Sequence, residues 1–345
     1  MEFEPIWFDS FGAKSSCVLV ETDIRILIDP GVAVMHPSFP ASIAKKLYWY
    51  EKAKTRIKIA ARGADVIVIS HYHYDHFTDF DEEIYAGKLT LAKNPNSYIN
   101  DSQRQRAEKF FENFCRNFGK RSLKEMLEKP KAMEFEDPLE DLKIASRKNF
   151  GDYQKRRLEL LEKGKKWFFT RARKWCSSHR IPEMVFGNTK LKFADGREFK
   201  LKKTRLKFTK PRFHGIEFSR VGWVFSTVIE FKGKKLIHSS DLNGPIIEDY
   251  AEWIIEENPD ILILDGPMTY MLGYTLNLIN FRRTIENALR IIKESDIEVM
   301  IYDHHLPREP KFRERTKEVW ETAKKLKKNV LTASELLGKK PVVLN

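Results

Sequence analysis

Cysteine is scarce in this chain. Of 345 residues only Cys17, Cys115 and Cys176 are cysteines, an odd number set far apart. That pattern argues against a disulfide framework or a cysteine-based zinc knuckle, and it fits buried thiols in the reducing cytoplasm. Long apolar runs are missing too. None approaches the ~18 residues that span a bilayer, so no membrane partner is expected. The opening MEFEPIWFDSFG carries three acids and no basic n-region, so no signal peptide is expected. Internal repeats, low-complexity tracts and Gly/Ser-rich linkers are also absent. The chain therefore reads as one α/β domain over 1–345 with a basic helical insertion at about 101–205, a cap or side lobe, rather than as tandem domains. Its 42% hydrophobic content is that of a globular protein.

The net charge of +13 is unevenly placed. Asp152–Lys210 holds 19 Lys and Arg against 6 Asp and Glu, which leaves the remainder of the chain neutral.

Apolar patterning gives the elements. Cys17–Val20 and Arg25–Ile28 are β-branched-rich strands, the second stopped by Asp29-Pro30-Gly31. Ala41–Ala61 has helical spacing with Ile43, Leu47, Tyr50 and Ile57 near one face, and Val66–Ile69 and Leu89–Lys93 read as strands. Phe110, Phe111, Phe114 and Phe118 mark one or two amphipathic helices. A further helix over Tyr153–Trp175 places Leu158, Leu161, Phe168, Ala172 and Trp175 on one face. Lys190–Leu201 reads as a hairpin around Ala194-Asp195-Gly196. Strands and helices then alternate to the end, with strands at Val224–Phe231, Lys235–His238, Asp260–Leu264 and Glu298–Tyr302 and helices at Asp249–Glu257, Phe281–Lys293 and Lys311–Lys328.

Histidine is as rare as it is concentrated: nine in the chain, three of them in the stretch VIVISHYHYDHF. On an extended backbone side chains alternate, so His71, His73 and Asp75 point one way and Tyr72 and Tyr74 the other, while His76 breaks the alternation. Four ligand-type residues thus fall into two small sets at the end of a rigid, buried strand. Imidazole with carboxylate suits zinc, and also iron or manganese. His36 and His179 have no such context and read as surface residues.

His71-Tyr72-His73-Tyr74-Asp75-His76 resembles the H-x-H-x-D-H signature of the metallo-β-lactamase superfamily. Asp29 in ILIDPG, His214 in KPRFHG, Asp241 in LIHSSDLNG and His304 or His305 in IYDHHLPRE are similar to its other motifs, in order. The resemblance spans Asp29–His305, and is nearest to archaeal proteins predicted to be metal-dependent hydrolases of that superfamily. It implies a four-layer αββα sandwich with two divalent metal ions, zinc first and manganese or iron as alternatives. It implies that His71, His73 and His214 hold one ion, that Asp75, His76 and His304 hold the other, and that Asp241 bridges them. His304 is preferred to His305 because it leaves the strand directly and precedes Arg308 by four positions. Asp29, Asp303, His305, Asp265 and His238 are the candidates for supporting or alternative ligands.

The chemistry implied is hydrolysis by a metal-bound hydroxide, with Asp75 or Asp241 as catalytic proton acceptor. Substrate is addressed only by the basic segment. Arg171, Arg173 and Lys174 lie among aromatics in WFFTRARKWCSSHR, and Lys202, Lys203 and Arg205 precede His214. Such cations suit a phosphoester, a phosphorylated small molecule or a nucleic acid, and the aromatics suit base stacking. A lactone or thioester hydrolase, and a non-hydrolytic nucleic-acid-binding or di-iron protein, are the alternative readings.

Overall fold

The computed structural model describes residues 1–344. Seven strands form the first sheet: β1 (Glu2–Phe8), β2 (Ser16–Glu21), β3 (Arg25–Ile28), β4 (Val66–Ile69), β5 (Leu89–Ala92), β6 (Met184–Phe186) and β7 (Thr189–Phe193), in the order β1-β2-β3-β4-β5-β7-β6. The rest of the chain supplies β8 (Glu198–Leu201), β9 (Thr204–Phe208), a two-residue ribbon of β10 (Arg212–Phe213) and β11 (Trp223–Val224), then β12 (Thr227–Phe231), β13 (Lys234–His238), β14 (Ile261–Asp265), β15 (Val299–Asp303) and β16 (Asn329–Leu331). The second sheet runs β16-β15-β14-β13-β12-β9-β8. Each sheet has a parallel half, β3-β4-β5-β7 and β13-β14-β15-β16.

Both faces of these parallel strands are covered, which is why they read as unbroken apolar runs. Val66 and Val68 of β4, Ile26 and Ile28 of β3, Ile263 of β14 and Ile301 of β15 form one buried cluster between the sheets. Their neighbours Ile67, Ile69, Leu27, Leu262, Leu264, Met300 and Tyr302 turn outward under the helices. The period of two thus builds an αββα sandwich.

Several elements depart from the sequence reading. Residues 190–201 are not a hairpin: β7 pairs with β5 and β6, whereas β8 pairs with β9 in the other sheet. Asp195 receives the amide of Asn94 and pairs with Lys93 on the first-sheet side, while the Gly196 amide bonds Thr209 on the second. The turn residues therefore carry the chain between sheets. The helical part of the basic segment ends at Ser177, and β6 to β9 belong to the sandwich.

The helix Ile43–Arg62 is rotated from the expected face, burying Lys46, Trp49, Ala53, Ile57, Ala60 and Ala61 and exposing Ile43 and Leu47. In the helix Gln154–Ser177, Leu158 is exposed while Phe168, Ala172 and Trp175 are buried. The expected helix Lys311–Lys328 breaks at Thr316, into Phe312–Arg315 and Lys317–Lys325, and β16 follows. β1 was not expected, since Pro5 interrupts its alternation. It is an edge strand with a bulge between Pro5 and Trp7, where proline is tolerated.

Candidate metal centre

Five loops that follow the parallel strands β3, β4, β13, β14 and β15 meet at one end of the sandwich, where α/β sheets place their ligands. After β4 the chain bends at His71 and Tyr72. It then turns, with the amides of His76 and Phe77 both donating to the His73 carbonyl, and this turn folds His76 back inward. Asp29 leaves β3 with φ 49° and is fully buried beside it. One of its oxygens accepts the Ser70 amide at 2.8 Å, and the other accepts the Ser70 hydroxyl at 2.7 Å and faces His76 Nδ1 at 2.8 Å. Ser70 Oγ lies 3.1 Å from His71 Nδ1. One carboxylate thus orients His76 directly and His71 through a hydroxyl, turning both Nε2 atoms toward the centre.

The second sheet supplies the opposite wall. Asp241 follows Ser240, which has φ 57°. Its loop is held by Asp265, whose carboxylate accepts the amides of Asn243 at 2.6 Å and Leu242 at 3.2 Å. After β15, His304 and His305 have φ 35° and 58°, and the Leu306 amide closes on the His304 carbonyl at 2.6 Å. This tight γ-turn, a strained conformation for side-chain-bearing residues, brings two consecutive imidazoles into the centre with ring centroids 4.2 Å apart. Asp9, fully buried, faces His304 Nδ1 at 3.0 Å and accepts the amides of Ser15 and His305 as well as Arg308 Nε.

Donor atoms of His71, His73, His214 and Asp241 lie within 4.8 Å of one another, as do those of Asp75, His76 and His304. Asp241 stands between the groups. Its Oδ2 faces His214 Nε2 at 3.0 Å and His71 Nε2 at 3.6 Å, and its Oδ1 faces His76 Nε2 at 3.0 Å and His304 Nε2 at 3.3 Å. His305 Nε2 lies 3.6 Å from Oδ2, on the first side. Ring nitrogens also confront each other, His71 Nε2 and His73 Nδ1 at 3.0 Å, His76 Nε2 and His304 Nε2 at 3.1 Å. Each such pair shares at most one proton, and His214 Nε2 and Asp241 Oδ1 are buried without a hydrogen-bond partner. A donor set of imidazoles and carboxylates converging in this way fits divalent cations.

The charges inside the cluster are strongly coupled. Burial disfavours charge on His304 and His76, but facing carboxylates outweigh it. Asp9 and Asp241 push His304 up to about 10, and Asp241 and Asp29 raise His76 well above its ordinary value. Burial, followed by the charges of neighbouring histidines, lowers His71, and takes His73 down to about 3. Burial and then Asp241 push Asp265 up to about 8.

Of the supporting residues expected from sequence, Asp29 and Asp265 touch ligand-type groups or their loop. Asp303 does not fix an imidazole: its carboxylate binds the amides of Ser10, His304 and Ala333, and the partner of the His304 ring is Asp9. His238 is a buried strand histidine against Ser16, with its Nδ1 accepting the Ser240 amide, one step behind the site.

Lys202, Lys203 and Arg205 are not at the site. Arg205 pairs across β12 to a position level with Lys235, where β13 begins, whereas Asp241 follows its end. Lys202 and Lys203 bind Asp23, at the far end of β3 from Asp29. Nearness to His214 in sequence misled, because an extended strand carries the chain ~3.3 Å per residue. Arg171 and Lys174 pair with Asp101, two positions before Gln103, which contacts His73 Nε2 at 3.3 Å; Arg173 bonds only Thr170. Of the aromatics among them, Phe168 and Trp175 are buried and cannot stack bases, while Trp167, stacked on Trp223, and Phe169 are half-buried. His36 is no isolated surface residue, for its ring lies 5.6 Å from that of Tyr270. Asp9, Gln103, Tyr270 and Lys14 escaped the sequence reading; only Arg308, four positions after His304, was signalled by spacing.

Residues 11–110 match the metallo-beta-lactamase superfamily. Over its length the chain is 33% identical to a UPF0282 protein of Thermococcus gammatolerans, covering 91% of this chain and 85% of that one. It is 30% identical to a UPF0282 protein of Metallosphaera sedula, covering 100% and 90%. Among solved structures it is similar to the metallo-beta-lactamase fold protein YhfI from Bacillus subtilis, at 14% identity over 92% of this chain and 88% of that one, with a TM-score of 0.41. The chain belongs to the UPF0282 family, within the metallo-β-lactamase superfamily.

Proposed function

We propose that the protein is a metal-dependent hydrolase with a dinuclear centre, acting on a phosphoester or phosphodiester. The observation that carries this reading is Asp241, whose two oxygens each face a separate group of ligand-type side chains. His71, His73 and His214 would hold one ion, Asp75, His76 and His304 the other, and Asp241 both, with zinc the first choice and manganese or iron alternatives. Two such cations supply Lewis acidity and an activated water near neutral pH.

The chain's own residues divide the remaining work. Asp29 and Asp9 fix the orientation of His71, His76 and His304. Asp241, 2% exposed and faced by five histidines, is closed to solvent and would be taken up by the two ions. Asp75, 16% exposed, 3.8 Å from His304 and 3.4 Å from Arg308, would take a proton at the open side. Elemental analysis of purified and reconstituted protein, with a panel of chromogenic phosphodiesters, phosphomonoesters and lactones, tests the reading. Two ions per chain and metal-dependent phosphoester turnover are expected. Absence of metal after reconstitution would defeat it, and turnover of lactones alone would replace the substrate class.

A further inference from the structure

At the open side of Asp75 the protein gathers cations that the ligand set does not use. Arg308 is buried, with Nε on Asp9, Nη1 3.1 Å from the Tyr270 hydroxyl and Nη2 3.4 Å from Asp75. Its guanidinium also lies over the Tyr270 ring, 5.7 Å from the centroid, and the His36 ring packs against that tyrosine, 5.6 Å away. Lys14 completes the group. Its backbone is clamped by two hydrogen bonds of 2.9 Å to Ala33, on the loop that leads from Asp29 to His36. Its ammonium is close enough for the charges of Arg308, Asp75 and Asp9 to act on it, and it acts in turn on His36.

Most lysines that lack an acceptor for their ammonium are exposed, but Lys14, with no carboxylate within 4.0 Å and no acceptor among the described residues, is not. It is half-buried, and burial followed by the Arg308 charge lowers its pKa. A partly desolvated cation under the charge of a second cation is unfavourable unless an anion pairs with it. The unused donors are the ammonium, the guanidinium protons not given to Asp9, Asp75 or Tyr270, and the Tyr270 hydroxyl, which accepts from Arg308 and keeps its own proton to donate. These outnumber what the two oxygens of a carboxylate accept comfortably, and they suit the terminal oxygens of a phosphoryl group.

We infer that Lys14, Arg308 and Tyr270, flanked by His36, form a phosphoryl-binding subsite that seats the substrate beside Asp75. The inference rests on the hydrolase reading of the same centre and names what that centre would recognise. Lys14 and Tyr270 are positioning residues here; neither is a ligand-type group.

The test is calorimetric titration of inorganic phosphate into zinc-reconstituted protein and into protein freed of metal by chelation, with the metal content of each measured. Lys14→Met should weaken phosphate binding about tenfold to a hundredfold, as expected for loss of a charge-assisted contact, with metal content unchanged. Tyr270→Phe should weaken it less, and Lys203→Ala, on the remote hairpin, not at all. Undiminished binding by Lys14→Met, or no phosphate binding by the wild type, would overturn the inference. Acetate competing as well as phosphate would overturn the phosphoryl assignment. Failure of the wild type to hold metal would instead sink the hydrolase reading, while the metal-free titration still tests the subsite.

Discussion

Asp9→Asn separates the idea of a carboxylate that orients a metal-binding imidazole from that of a merely buried charge. The Asp9 side chain is fully buried and receives four donors: Ser15 N–H and His304 Nδ1 on one oxygen, His305 N–H and Arg308 Nε on the other. Asparagine presents its carbonyl to one pair only, and its amide group then faces the donors of the other. Two buried donors left unmet at about 1–3 kcal/mol each give about 2–6 kcal/mol of destabilisation, in line with about 3–5 kcal/mol for breaking a buried ion pair from one side. Loss of the partner that holds a metal-binding histidine weakens metal affinity about tenfold to a hundredfold. That loss should fall on the ion held by Asp75, His76 and His304.

Denaturant unfolding of the metal-free proteins reads the first effect, and competition with a chromogenic chelator the second. Glu248→Gln is the control. It also leaves a buried arginine, Arg283, short of a partner it meets at 2.7 Å, but no imidazole touches it. If Asp9→Asn lowers metal affinity no more than Glu248→Gln does, Asp9 serves stability alone and the orientation argument is wrong.

His71→Ala or His214→Ala should empty mainly one ion position, Asp75→Ala or His76→Ala mainly the other, and Asp241→Ala should weaken both, as read by metal per chain. His304→Ala should cost more metal than His305→Ala, because His304 Nε2 faces both Asp241 Oδ1 and His76 Nε2; the reverse ranking would reassign the last ligand. Metal affinity should climb with pH through the neutral range. His304, pushed up to about 10, and His76, raised above its ordinary value, share between their facing Nε2 atoms a proton that an entering cation must displace. Calorimetry in buffers of different ionisation enthalpy should therefore show proton release, and none near neutral pH would contradict the assignment. Gly31→Ala should destabilise the protein and lower metal content together, because the added Cβ would collide with the backbone of His76 and Phe77.

What the sequence determined by itself is local. The VIVI strand and the ligand-type residues at its end were legible, because both are local patterns; alternation, however, put Asp75 with His71 and His73, whereas the structure groups it with His76, since the chain bends at His71 and Tyr72 and turns at Tyr74–His76. The ends of β3, β13, β14 and β15 were likewise legible as apolar runs closing on Asp29, Asp241, Asp265 and the histidine pair.

Tertiary structure decided everything that depends on which strands become neighbours. Asp9 and His304 are 295 positions apart, and Asp75 and Arg308 are 233 apart; neither lies in a pattern that pairs them. The turn at Asp195 reads like a hairpin because hairpin and crossover use the same residue types, and only the partners of β7 and β8 distinguish them. The basic segment was visible as charge, but charge in sequence carries no direction. Strand polarity placed Lys202, Lys203 and Arg205 at the end away from the histidines, while a lysine from the neutral part of the chain, Lys14, is held by its backbone pairing with Ala33 against the loop that follows Asp29.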